Sequence, residues 1–289
     1  MRPAPLPVRD GLGPARVRLR GGTVLVELTA RFGEQARAKV LAGEVVDADG
    51  AVIDEATVLP TGASVYLYRD LPHEVPVPFD LPVLYRDDDI VVVDKPHFLA
   101  TMPRGSHVAQ TALVRLRKEL GLPELSPAHR LDRLTAGVLL FTTRREVRGA
   151  YQMLFARGLV GKTYLARAAV DPACELPRVV RNRIVKRRGH LQAVIESGVP
   201  NAETLVELAS AGLYRLTPRT GRTHQLRVHM ASLGLPIIGD PLYPNVIDVP
   251  AGDFSTPLQL LAQRIEFDDP FTGSSREFVT RREIEGVRL

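Results

Sequence analysis

Prolines stand at positions 72, 76, 78 and 82, within the stretch Leu71 to Pro82. Each fixes φ and lacks an amide donor, so this stretch can continue neither a helix nor a central strand. It is read as a linker, residues 71–82, and the chain must build separate bodies on its two sides. Ahead of it, residues 1–22 carry prolines, glycines and arginines with little apolar pattern and are read as a loose basic tail. Residues 23–70 read as a small N-terminal α+β domain. Val40 to Val46 looks like a helix end followed by a strand, Asp49-Gly50 is a turn signal, and Ser64 to Tyr68 alternates as a strand.

The larger body, residues 83–289, mixes strands and helices without a repeat. Ile90 to Val93 and Val138 to Phe141 are apolar runs suited to buried strands, and Thr163 to Val170 is a third strand. Gln110 to Leu120 reads as a helix stopped by Gly121 and Pro123, and Arg145 to Phe155 as another. Leu191 to Ser197, Glu203 to Leu208 and Leu213 to Thr217 alternate as strands before a helix at Arg222 to Leu233. Leu258 to Phe267 and Arg276 to Thr280 bracket the turn Asp269 to Gly273 as a hairpin. Many strands with few crossover helices predict an α+β fold with a mixed, largely antiparallel sheet, not a doubly wound nucleotide fold.

Composition narrows the function classes. Of 289 residues, Lys and Arg number 38 against 33 Asp and Glu, a net charge of +5 that is compatible with a polyanionic partner. Cys174 is the one cysteine, which excludes a disulfide framework and multi-cysteine metal sites and fits a cytoplasmic protein. No stretch approaches 18 uninterrupted apolar residues, so no membrane association is expected. Only five basic residues are lysines, at 39, 95, 118, 162 and 186.

Several local patterns fail on context. Ala156 to Thr163 nearly matches a phosphate-binding loop, but a helix precedes it and a β-branched, aromatic run follows, the reverse of what such a loop needs. Asp87-Asp88-Asp89 reads as a polar turn. His224 and His229 lack the glutamate of a zinc-protease helix. No metal site is expected. The densest basic run, Arg178 to His190, includes Arg181, Arg183, Lys186, Arg187 and Arg188. It is either a solvated charged loop or a contact to a nucleic-acid backbone, and its single sign favours the second.

The centre of the chemistry is His129-Arg130-Leu131-Asp132-Arg133-Leu134-Thr135-Ala136-Gly137. Asp132 lies between two arginines in a loop before an apolar strand, where neighbouring guanidiniums favour the ionised carboxylate. Such a group can serve as nucleophile or base, or simply form a salt-bridged turn.

This stretch resembles the His-Arg-Leu-Asp motif of the RluA family of RNA pseudouridine synthases, and further motifs follow the family's order. Tyr85 to Pro96 resembles its first motif, Lys162-Thr163-Tyr164-Leu165-Ala166 its tyrosine motif, Thr220 to His229 its arginine motif, and Gly239-Asp240-Pro241-Leu242-Tyr243 its following segment. Together they cover about residues 80–280. The resemblance implies a fold of pseudouridine synthase type and the isomerisation of specific uridines to pseudouridine in ribosomal or transfer RNA. It implies Asp132 as the essential carboxylate, Tyr164 stacked on the uracil, and Arg227 paired with Asp132. A stacked uridine must be extruded from its stem-loop, and the resemblance gives Arg130 the role of filling the vacated space. Arg222, His224 and the run Arg181 to Arg188 are candidate phosphate contacts. The reaction is redox-neutral, so no cofactor and no nucleotide are expected, and the enzyme is expected to act as a monomer.

The chain also departs from the pattern. His97-Phe98 stand where the family usually has a small Ala-Gly pair after Lys95-Pro96, Ala136 replaces a serine, and Leu260-Leu261-Ala262 replaces Leu-His-Ala. Residues 23–70 faintly resemble a ribosomal-protein-like RNA-binding module, but without its basic first helix. A degenerate RNA-binding role and a purely structural one both fit. Competing functions are a non-catalytic RNA-binding factor and a nucleoside glycosidase, the latter requiring a second acid near Asp132.

Overall fold

The computed structural model describes residues 4–71 and 73–284. Pro72 of the proline-rich stretch, the first three residues of the predicted tail and the last five of the larger body lie outside the described residues. The chain divides into two compact units, Met1–His73 with Arg117–Pro123, and Glu74–Leu116 with Glu124–Leu289.

In the first unit, β1 (Ala15–Arg18) pairs antiparallel with β4 (Ser64–Leu67), and β2 (Gly22–Thr23) with β3 (Val58–Leu59). Helices α1 (Val24–Phe32) and α2 (Glu34–Leu41) complete it. Val17, Leu28, Val40, Ile53 and Val65 share its core. The stretch 1–22 is therefore not a loose tail throughout. Val17 is buried while Arg16 and Arg18 are not, and this short alternation was too sparse to signal a strand.

The second unit opens with β5 (Val83–Arg86) and β6 (Ile90–Lys95), followed by α3 (Ala112–Leu120), whose residues from Arg117 group with the first unit. Next come β7 (Ser126–Pro127), β8 (Ala136–Thr142), α4 (Arg145–Ala156) and β9 (Gly161–Arg167). Then follow β10 (Arg178–Val185), β11 (Val194–Glu196), β12 (Ala202–Ser210), β13 (Leu213–Pro218), α5 (Gln225–Ser232), β14 (Leu260–Asp268) and β15 (Ser275–Val279). The sheet runs β11-β10-β12-β13-β9-β14-β8-β6-β5, with β15 on β14 and β7 on β8. β14 and β8 are parallel and the other pairings antiparallel, so the sheet is mixed and largely antiparallel as expected.

Every residue of β6 and β8 is buried, which is why their apolar runs are continuous and do not alternate. Tyr151 and Val147 of α4 pack on that layer with Val138, Leu140 and Phe267. β8 can lie beside β14 only because residue 137 is glycine. Its φ is +110°, and a Cβ there would sit 2.1 Å from the Ala262 carbonyl oxygen.

Two stretches differ from their sequence readings. From Glu74 onward the proline-rich linker belongs to the second unit. The Glu74 carboxylate accepts the amides of Val108, Ala109 and Gln110 at 2.7–3.0 Å, and Val77 and Leu81 are buried. The basic run is no solvated loop through Val185: it is β10, with Val180 and Ile184 buried between exposed arginines.

Candidate active site

The loop between β7 and β8 delivers Asp132 to a cleft of about 1040 Å³ within the second unit. Tyr164 reaches the same cleft from β9 and Arg227 from α5. Of the described residues lining it, Asp132 is the one carboxylate. Arg104, Arg130, Arg133, Arg157, Arg222 and Lys162 surround it with positive charge. The side chains of Arg130, Arg157 and Lys162 form no ion pair among the described residues.

Arg227 is the best-held charge in the site. Its Nε and one terminal nitrogen donate to both oxygens of Asp240, at 2.8 and 2.6 Å, with both side chains almost wholly buried. The other terminal nitrogen lies 3.8 Å from Asp132 Oδ2. Arg227 thus faces Asp132, while its fork is committed to Asp240. Asp240 in turn accepts the amides of Leu242 and Tyr243 at 2.8 and 3.1 Å, which locks the acid in place. The sequence marked the segment around Asp240 but gave this residue no role, because nothing local links positions 227 and 240.

His224 stands at φ 59° just before α5, and its Nε2 is 4.0 Å from Asp132 Oδ2. Its Nδ1 hydrogen-bonds the Tyr243 hydroxyl at 2.9 Å. Burial lowers its pKa, and the nearby Asp132 charge acts in the opposite direction. The preceding turn is organised by Gln225, whose Oε1 accepts from the Arg222 amide and the Thr220 hydroxyl while its Nε2 donates to the Glu203 carbonyl. Burial, reinforced by the Asp132 charge, pushes the Tyr164 hydroxyl well above the usual phenol range, so it remains protonated at neutral pH.

The remaining predicted residues divide by position. Arg130 and Arg222 line the cleft, with Arg222 Nε also donating to the Asn201 carbonyl at 3.0 Å. Lys186 lies close enough for its charge to act on His224. Arg181 and Arg183 project from β10, Arg187 and Arg188 follow it, and none of the four lines the cleft. Arg181 pairs with Glu203 at 2.7 Å and Arg187 with Glu196 at 2.5 Å.

Two lysines that the sequence placed inside motifs without a role also belong here. Lys95 is fully buried, and its ammonium donates to the carbonyls of Pro96, Leu99 and Arg133 at 2.9, 2.8 and 3.2 Å. Burial pulls its pKa well below the usual lysine range. Lys162 shares the strand face of Tyr164, two residues on. Burial lowers its pKa too, and no carboxylate offsets the effect. In the same cleft, His129 stacks on Phe155 at 4.3 Å and accepts the Leu140 amide, and burial, with the Lys162 charge, lowers its pKa to about 3. Among the described residues no group of three or more His, Cys, Asp or Glu side chains could hold a metal ion. No helix among them is long and apolar enough to cross a membrane.

Residues 89–232 match the family model for RNA pseudouridylate synthase. The chain is 31% identical over 207 residues to an uncharacterized RNA pseudouridine synthase of Synechocystis, covering 68% of this chain and 70% of that protein. It is 31% identical over 234 residues to tRNA pseudouridine synthase C of Vibrio vulnificus, covering 72% and 92%. With ribosomal large subunit pseudouridine synthase D of Pseudomonas aeruginosa it shares 27% over 279 residues, covering 88% and 86%. The solved structure of human RNA pseudouridylate synthase domain containing 4 superposes with a TM-score of 0.55 at 26% identity, covering 69% of this chain and 87% of that one. The chain belongs to the RluA family of RNA pseudouridine synthases, enzymes that isomerise uridine to pseudouridine within RNA.

Proposed function

We propose that this synthase uses Asp132 as its essential carboxylate on a uridine turned out of a ribosomal or transfer RNA stem-loop. The observation that carries the reading is the charge of the cleft: among the described residues one carboxylate lines it, facing an arginine fixed by a second acid, in a basic surround. The isomerisation breaks the bond from ribose C1′ to uracil N1 and joins C1′ to C5. The C5 proton is lost and N1, freed from the ribose, gains one, so nothing is oxidised. Asp132, facing the Arg227 guanidinium 3.8 Å away, starts this. Tyr164, neutral and partly buried, offers its ring face to the uracil and its hydroxyl to proton movement at C5.

A base leaves its stack only at a cost of a few kcal/mol. Arg130 is exposed at the cleft and free of ion pairs among the described residues, so it can enter the gap the base leaves. Arg222 and His224 supply phosphate contacts at the cleft, with Lys186 beside them. Arg181, Arg183, Arg187 and Arg188 supply outer ones. The reading includes a monomeric enzyme working in the cytoplasm without cofactor or nucleotide. The relatives that act on transfer RNA and on the large ribosomal subunit favour those two substrate classes.

The test is pseudouridine mapping across total RNA in cells carrying the wild-type protein or Asp132→Ala. The expected result is loss of one or a few sites in the variant. An unchanged map, with the protein expressed and no second enzyme for those sites, would favour a binding factor without turnover.

A further inference from the structure

The carbonyls that flank Asp132 are all engaged. The Leu131 carbonyl accepts from the Thr101 hydroxyl at 2.8 Å, and the Leu131 amide donates back to that oxygen at 3.2 Å. The Asp132 carbonyl accepts the Thr135 amide at 3.1 Å. The Arg133 carbonyl takes the Lys95 ammonium at 3.2 Å, and the Leu134 carbonyl takes His97 Nδ1 at 2.7 Å. Three of these donors come from one short segment, Lys95 to Thr101, which begins where the β6–β8 ladder ends with Lys95 opposite Gly137.

That segment is itself braced. Lys95 closes on the carbonyls of Pro96 and Leu99. Between them Phe98 adopts φ 65°, a left-handed conformation that opposes any residue with a Cβ. What holds it there is aromatic packing: Phe98 is buried, with its ring 6.1 Å from Phe79 and 5.3 Å from Phe254. Backbone held in such a region persists only where its surroundings over-determine it.

We propose that His97, set in place by the Phe98 anchor, is a positioning residue that fixes the Asp132 loop in its reactive geometry through the Nδ1 hydrogen bond to the Leu134 carbonyl. This rests on the reading of Asp132 as the essential carboxylate. A carbonyl acceptor requires that Nδ1 carry the proton. Burial keeps the ring neutral, with a pKa of about 4, so this single-proton form is the one present at neutral pH. Release of Leu134 would leave the loop tied at Leu131 and Arg133 alone. A shift of about 1 Å at a reacting group costs roughly 100-fold in rate.

The test compares His97→Leu, His97→Asn and His97→Gln in single-turnover assays on the mapped RNA, with Asp132→Asn as the background. Asparagine can place an N–H where Nδ1 was, whereas glutamine places it near Nε2. The expected pattern is a fall of about 10- to 100-fold in kcat for Leu and Gln, substantial recovery for Asn, and unchanged RNA affinity throughout. Turnover by Asp132→Asn would overturn the reading beneath the proposal. An inactive Asp132→Asn with full kcat in His97→Leu would overturn the proposal alone. Equal losses for Asn and Gln, or a change in affinity with kcat intact, would overturn it as well. If the His97 variants fail to fold, Thr101→Ser against Thr101→Val tests the same clamp. Retained kcat in the serine form and loss in the valine form is expected, and equal activity would count against it.

Discussion

Two sets of arginines in this enzyme are paired with acids, and they differ in almost everything else. At the cleft, Arg227 and Asp240 expose 2% and 0% of their side chains and meet through two hydrogen bonds. On β10 and just beyond it, Arg181 and Arg187 each expose 61%, and their partners Glu203 and Glu196 expose 22% and 28%. A buried pair of the first kind costs about 3–5 kcal/mol to break, because the remaining charge is stranded. An exposed pair of the second kind is worth about 0–1 kcal/mol, so it can be exchanged for a phosphate at little loss. The same residue type therefore forms a fixed pair in one place and a readily broken one in the other.

The largest effect should come from Asp132→Asn, which keeps the shape of the loop and removes the charge to which the proposed reaction is assigned. Turnover is expected to fall by about 1000-fold or more while melting temperature and RNA affinity change little. Residual turnover of a few per cent would end the assignment. Next, Asp240→Asn should cost about 3–5 kcal/mol in a urea titration, since it strands Arg227 in a buried site. A loss below 1 kcal/mol would show that the fork finds another partner, and the contrast with β10 would collapse.

Acid should act on the buried side of the comparison. His97, His129 and His229 have pKa values near 4, 3 and 4, lowered by burial from an unfolded value of 6.5. Between those limits the unfolded chain binds protons that the folded chain refuses. Their contribution is therefore complete above about pH 6.5 and is lost as pH falls toward 4. Urea midpoints at pH 7 and pH 5 should show the drop, and His129→Gln, which can still accept the Leu140 amide, should flatten it.

The smaller effects concern RNA. Arg130→Gln and Lys162→Gln should each weaken binding and reduce the slope of log affinity against log salt by about one. Arg181→Gln with Arg187→Gln should change affinity less per residue, because each cation gives up a carboxylate to take a phosphate and the net gain is small. If the outer pair costs more than the inner one, the RNA path runs over β10 and not into the cleft.

Legibility in the sequence followed the same divide. β6 and β8 could be read directly, because burial on both faces leaves an unbroken apolar run. β10 was hidden, because Arg178, Arg181 and Arg183 outweigh Val180 and Ile184 in any local reading. Asp132, Tyr164 and Arg227 were named as one constellation through the ordered motifs, and the fold places all three in one cleft. Asp240 as partner of Arg227, and the clamp from Lys95 to Thr101, were not legible. Both depend on contacts across the chain between groups that have no shared spacing. His97-Phe98 was visible only as a departure, and its meaning emerged from the Leu134 carbonyl and the two phenylalanine rings.

The order β9-β14-β8 also sets a schedule for synthesis. The strand that follows Asp132 and the strand that carries Tyr164 are not neighbours, because β14, made some hundred residues after β9, lies between them. A ribosome that has released residues up to 240 has supplied Asp132, Tyr164, Arg227 and Asp240, yet the sheet that sets their separation has a missing centre. Insertion of Leu260–Asp268 closes that gap, and Ala262 settles against Gly137 as it does so. The cleft is thus completed only once Leu260–Asp268 has joined the sheet, although the four charged and aromatic groups it holds all precede that strand in the chain.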